Sequence, residues 1–114
     1  MTHYMKLQPE PFGLIAERRK TVELRLFDEK RRAIAVGDTV VFSNTAEPTA
    51  TLRCRVVGLH RFGSFAELYR AFSPECLGYL PEECASASPL DMEAYYSKEE
   101  QALYGVVGIE ISLV

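Results

Sequence analysis

The chain is short of everything that would mark a secreted, membrane-bound or metal-built protein. No apolar run approaches the roughly 20 residues that span a bilayer, and the opening MTHYMKLQPEPF lacks the apolar centre of a signal peptide. Neither a membrane span nor a leader is therefore expected. Only three cysteines occur, Cys54, Cys76 and Cys84, an odd number without a C-x-x-C pair. That argues against a disulfide framework and for a cytoplasmic protein with reduced thiols. With His3 and His60 the only histidines and no C-x-x-C pair, a metal site at Cys76 and Cys84 is not expected. Neither a structural metal nor a cofactor is expected. No Ser-His or Cys-His pairing for nucleophilic catalysis is visible, and internal repeats and low-complexity segments are absent.

What is present fits one globular domain over residues 1–114, with 47% hydrophobic and 25% charged residues. The net charge of −3 hides an asymmetry. Residues 1–62 carry 11 Lys and Arg against 7 Asp and Glu, whereas residues 63–114 carry 2 against 9. Bulk charge thus gives no general affinity for nucleic acid. A local basic patch on the first half is still allowed, and such patches are the more specific kind of binding surface.

The chemistry concentrates in Arg18–Arg32, RRKTVELRLFDEKRR, where seven of fifteen residues are Lys or Arg. Within it Val22, Leu24 and Leu26 alternate with Thr21, Glu23 and Arg25, the two-residue period of a strand with one buried face. The alternation puts the apolar set in the core and Thr21, Glu23 and Arg25 on the opposite, solvated face. Lys20 lies at a helix-to-strand junction, where parity does not fix its direction. A carboxylate set among Arg18, Arg19, Lys20, Arg25, Lys30, Arg31 and Arg32 suits an anionic or hydrogen-bonding ligand better than it suits plain surface.

The remaining elements follow in order. Residues 3–7 read as a strand, broken by Pro9-Glu10-Pro11, with Pro11 placed to open a helix. Strands are expected over 39–44 and 51–59, with Gly58 marking a bulge. Ser64-Phe65-Ala66-Glu67 has the form of a capping box, and Phe65, Leu68, Tyr69 and Phe72 at helical spacing read as core. A second box, Ser97-Lys98-Glu99-Glu100, restarts a helix within 89–104, and Val106–Val114 is a strong final strand that closes the sheet. Cys54 falls in the apolar phase of its strand, an inert core position. This order lacks a βαβ rhythm. It predicts an α+β fold with a small, curved, mainly antiparallel sheet or barrel and three to four flanking helices.

Lys20-Thr21-Val22-Glu23-Leu24-Arg25 resembles the K-x-x-E-x-R core of the ASCH family, with Arg18 where the usual signature has glycine. Pro11-Phe12, Val36-Gly37-Asp38, Ser64-Phe65 and Tyr104-Gly105-Val106-Val107-Gly108-Ile109 follow the same family pattern in order, so the resemblance spans nearly the whole chain. It implies a PUA-like barrel with a cleft that holds the motif, and RNA as the general partner. One branch of small relatives hydrolyses acetylated cytidine with a lysine and a threonine nucleophile, and ribonuclease activity belongs to another. Lys20 matches the lysine, but Glu23 stands where that branch has threonine.

Three readings follow. As an RNA- or nucleotide-binding module, the protein uses Lys20, Arg25, Lys30, Arg31 and Arg32 on phosphate. Glu23 then takes a base amine or ribose hydroxyl, Thr21 shares the strand face, and Tyr95, Tyr96 or Tyr104 offers a stacking or hydrogen-bonding ring. As a hydrolase on RNA or a modified nucleoside, it uses Lys20 and Glu23 as a general acid–base pair. As a purely structural feature, the charges form a surface ion network. The resemblance favours binding.

Overall fold

Prolines and capping residues set the helices of this chain, and apolar alternation sets its strands. In a computed structural model, which describes residues 1–114, the elements run β1 (Thr2–Leu7), α1 (Pro9–Ala16), β2 (Val22–Leu26), α2 (Glu29–Arg32), β3 (Thr39–Asn44) and β4 (Glu47–Phe62). They continue with α3 (Phe65–Ala71), α4 (Pro74–Leu77), 3-10 turns at Pro81–Ser86 and Pro89–Ala94, α5 (Lys98–Tyr104) and β5 (Val106–Leu113). Pro9 rather than Pro11 opens α1. Both prolines are tolerated because the first backbone N–H groups of a helix have no partner within it. The box at Ser97 is complete: its hydroxyl accepts from Glu100 N at 3.1 Å, and Glu100 Oε1 accepts from Ser97 N at 3.0 Å. At Ser64 only half forms, since Glu67 accepts from Gly63 N instead.

The strands make one five-stranded sheet in the order β1-β3-β4-β5-β2, curled into a half-barrel. The β1–β3 pair is parallel and the other three pairs are antiparallel. β4 is longer than the alternation predicts, because it begins directly after a tight hairpin in which Asn44 Oδ1 accepts from Ala46 N at 2.9 Å. The bulge falls where Gly58 marks it, with a register shift between Val56 and Gly58. A Cβ at residue 58 would lie 2.8 Å from Glu110 Oε1 and 2.9 Å from His60 Nε2, so a side chain there would push apart the Glu110–His60 pair. β5 completes the sheet from within, between β4 and β2. Val106, Val107 and Ile109 are fully buried there, which means both faces of β5 are covered.

Two apolar cores sit on the two faces. Met5, Ile15, Val40, Phe42, Val56, Val107 and Ile109 fill the inside of the curl, with Cys54 among them as expected. Val22, Leu24, Leu26, Phe65, Leu68 and Val106 pack on the other face beneath α3. The strand parity of β2 is as the alternation predicts, but the solvated face is not. Glu23 pairs with Ile109 and Arg25 with Val107 across the ladder, and directly opposed residues share a face. That face is the inside of the curl. Alternation separates two environments without saying which one is water, and at the end of a curled sheet the polar row turns inward. No helix is long and apolar enough to cross a membrane.

Candidate functional site

Edge strand β2 carries its polar row to the mouth of the half-barrel, where the sheet has not closed. Arg25 crosses that gap. Its Nη2 donates to the Lys6 carbonyl at 2.9 Å, joining β2 to β1, the other edge of the sheet. Its Nε donates to Glu23 Oε2 at 2.7 Å. Lys20 enters from the α1–β2 junction, 3.4 Å from Glu23 Oε1, and donates to the Leu77 carbonyl at the end of α4 at 2.7 Å. Gly78 makes room for this: its φ is +108°, and a Cβ there would come within 3.0 Å of Lys20 Cδ. Lys20 and Glu23 are only 6% and 5% exposed, and they are the chain's two buried charged residues.

Burial and mutual charge shape this triad. Burial alone would raise the Glu23 pKa, but the neighbouring Lys20 and Arg25 charges outweigh it and hold the carboxyl below its ordinary value. Burial lowers the Lys20 amine, partly opposed by Glu23. Burial also opposes the Arg25 charge, and Glu23 more than restores it. Glu23 is therefore an ionised carboxylate whose two oxygens are each engaged once, leaving further lone pairs for a ligand. Arg25 has five N–H donors, two of them engaged within the chain.

These three side chains line a single cavity of about 600 Å³. That is within the roughly 300–1,000 Å³ usual for small-molecule sites. The facing wall comes from α3 and the loop after α4: Tyr69, Tyr79, Met92, Tyr95 and Tyr96, with Glu83 and Asp91. Tyr69 and Tyr79 hydroxyls lie 2.8 Å apart, and Tyr79 donates to Asp91 Oδ2 at 2.7 Å. The lining holds three cations, Lys6, Lys20 and Arg25, against four carboxylates, Glu10, Glu23, Glu83 and Asp91. The cleft is thus mixed in charge and not basic, a correction to the expectation from the 18–32 run. Of the cations in the 18–32 run only Lys20 and Arg25 line the cleft, and Glu83 and Asp91 from the acidic half join Glu10 and Glu23 against them.

A family model for the ASCH domain matches residues 5–114, nearly the whole chain. This protein belongs to the ASCH domain family. RNA binding is the general character of that family. The hypothetical protein PH0355, known from a crystal structure, is 33% identical with a TM-score of 0.82, and each chain is covered over 100% of its length. The protein PF0455 from Pyrococcus furiosus, known from a solution NMR structure, is 36% identical with a TM-score of 0.66, over 100% of this chain and 98% of that one. No curated protein matches.

In this ASCH domain Thr21, Lys30, Arg31, Arg32 and Tyr104 lie outside the cavity. Thr21 lines a separate pocket of about 100 Å³ with Ile111 and Leu113, and its backbone ties α4 to β5. Lys30 is exposed on α2, Arg31 pairs with Asp28 at 3.2 Å, and Arg32 donates to the Phe27 carbonyl while lying over the Phe27 ring. Tyr104 ends α5, partly exposed and outside the cavity lining, whereas Tyr95 and Tyr96 belong to it. Tyr69 was legible only as core because it shares the helical stripe of Phe65 and Leu68. Tyr79 sits in irregular chain, where spacing carries no signal, and Asp91 lies in the Pro89–Ala94 turn, where its spacing from Ser88 marks a cap and not a cavity residue.

Proposed function

We propose that this ASCH domain binds RNA by accepting one unstacked nucleotide in the cavity built on Lys20, Glu23 and Arg25. The observation that carries the reading is Arg25, held over the mouth of the half-barrel by two bonds and keeping three N–H donors without a partner in the chain. Tyrosines on the facing wall offer the aromatic surface on which unstacked bases rest. Since the lining has more carboxylates than cations, the cavity suits a base or nucleoside better than a phosphate. The phosphates then meet exposed cations outside it, Lys30 and Arg32 among them. Thr21 and Tyr104 act from the periphery of the site.

The test is a titration of short single-stranded RNA at low and rising salt, with melting curves alongside. Arg25→Lys keeps the charge but not the planar fork, and it should weaken binding at every salt concentration. Changing Lys30, Arg31 and Arg32 together to Ala should chiefly flatten the salt dependence, by a slope of roughly one for each phosphate no longer neutralised. No measurable RNA affinity at low salt would remove this reading. A hydrolase acting on RNA or a modified nucleoside is the second reading, favoured by one observation: the buried Lys20 amine, lowered in pKa beside an ionised carboxylate. With Glu23 in the place of a threonine nucleophile, acetylated cytidine should not be turned over. Efficient deacetylation would reverse the order of the two readings.

A further inference from the structure

The direction of a hydroxyl chain decides what a ligand must bring to it. On the loop wall of the cavity, Asp91 Oδ2 accepts the Ser88 backbone N–H at 3.2 Å and lies 2.7 Å from the Tyr79 hydroxyl. A carboxylate only accepts, so the Tyr79 proton goes to Asp91. Tyr79 has one proton, and its oxygen lies 2.8 Å from that of Tyr69. The donor in that second bond is therefore Tyr69. With its own proton committed, Tyr69 has only lone pairs left for the cavity it lines. Burial raises the pKa of both hydroxyls, which keeps the two protons in place through neutral pH. On the β2 wall Arg25 can only donate, beside the Glu23 carboxylate, which accepts. Arg25 is thus a donor, and Tyr69 an acceptor, on opposite walls of one cavity.

Resting on the nucleotide reading above, we propose that the Tyr69–Tyr79–Asp91 chain makes the cavity selective for a nucleobase bearing an exocyclic amine. The amine donates to Tyr69, and a carbonyl or ring nitrogen of the same base accepts from Arg25. A base with a carbonyl in the amine's place sets lone pair against lone pair at Tyr69 and leaves both without a partner. That mismatch in a partly buried site is worth about a tenfold loss of affinity or more.

The experiment compares oligocytidylate with oligouridylate of equal length at one low salt concentration. These probes share backbone and charge and differ at the base by an amine against a carbonyl, with a bare ring nitrogen against a protonated one beside it. The parent should favour oligocytidylate about tenfold. Tyr69→Phe removes this acceptor without removing the ring, and the preference should fall severalfold. Tyr79→Phe frees the Tyr69 proton, so the preference should fall or invert while the fold, checked by melting, is retained. An equal ratio of affinities in the parent and both variants overturns the inference and leaves nucleotide binding intact, as does a parent that prefers oligouridylate. Failure of both oligonucleotides to bind the parent removes the underlying reading, and the inference with it.

Discussion

Replacing Glu23 by Gln takes the shared counter-ion from Lys20 and Arg25, and the cost can be worked from the geometry. The pairs measure 3.4 Å and 2.7 Å, with side-chain exposures of 6% for Lys20, 15% for Arg25 and 6% for Glu23. With an effective dielectric of about 20, each is worth roughly 5–6 kcal/mol in gross Coulomb energy. Regained hydration of the carboxylate's partners offsets part of this, and breaking one partner of a buried pair costs about 3–5 kcal/mol net. For a domain of this size that is a fall in melting midpoint of roughly 12–20 °C. Lys20 then sets the pH dependence. Without Glu23 its already lowered pKa falls further, while in the unfolded chain it stays near about 10.4. Between those two values the unfolded state binds more protons, so stability rises with pH. Melting followed by circular dichroism should therefore show the full deficit near neutral pH, narrowing towards pH 10. In the parent, the lowered Glu23 pKa gives stability that is present above about pH 4.3 and lost as pH falls through the folded value. Adding Lys20→Met to Glu23→Gln should recover part of the loss. A Gln variant that melts with the parent across this range would refute the claim that the triad is a buried ionic unit.

Two further outcomes test the surroundings of the site. Gly78→Ala forces a side chain into φ of +108° and to within 3.0 Å of Lys20 Cδ. It should cost about 1–3 kcal/mol and weaken RNA binding, and a variant that keeps both midpoint and affinity would show that Lys20 is not held against α4. Cys54 is fully buried, and its thiol is pushed up to about 11 by burial. A thiol reagent at mildly alkaline pH should label Cys76 and Cys84 in the folded protein and reach Cys54 only on unfolding; labelling of all three before the melt would contradict the packing of β4.

The sequence alone determined the local elements. Alternation found β2 and most of β4, Ser97 and Glu100 found the restart of α5, Gly58 found the bulge, and the Lys20–Arg25 motif found the heart of the cavity and the family. Each of these signals is written within a few residues, at the range where periodicity, capping and glycine's conformational freedom act. Tertiary structure decided which face of β2 meets water, because that depends on Ile109 and Val107, over eighty residues away along the chain, lying beside Glu23 and Arg25 in a curled sheet. It also decided that Tyr69, Tyr79 and Asp91 face the motif, and that most cations of the basic run lie outside the cavity. Charge and hydroxyl polarity add up in space, between side chains that the fold brings together from distant parts of the sequence.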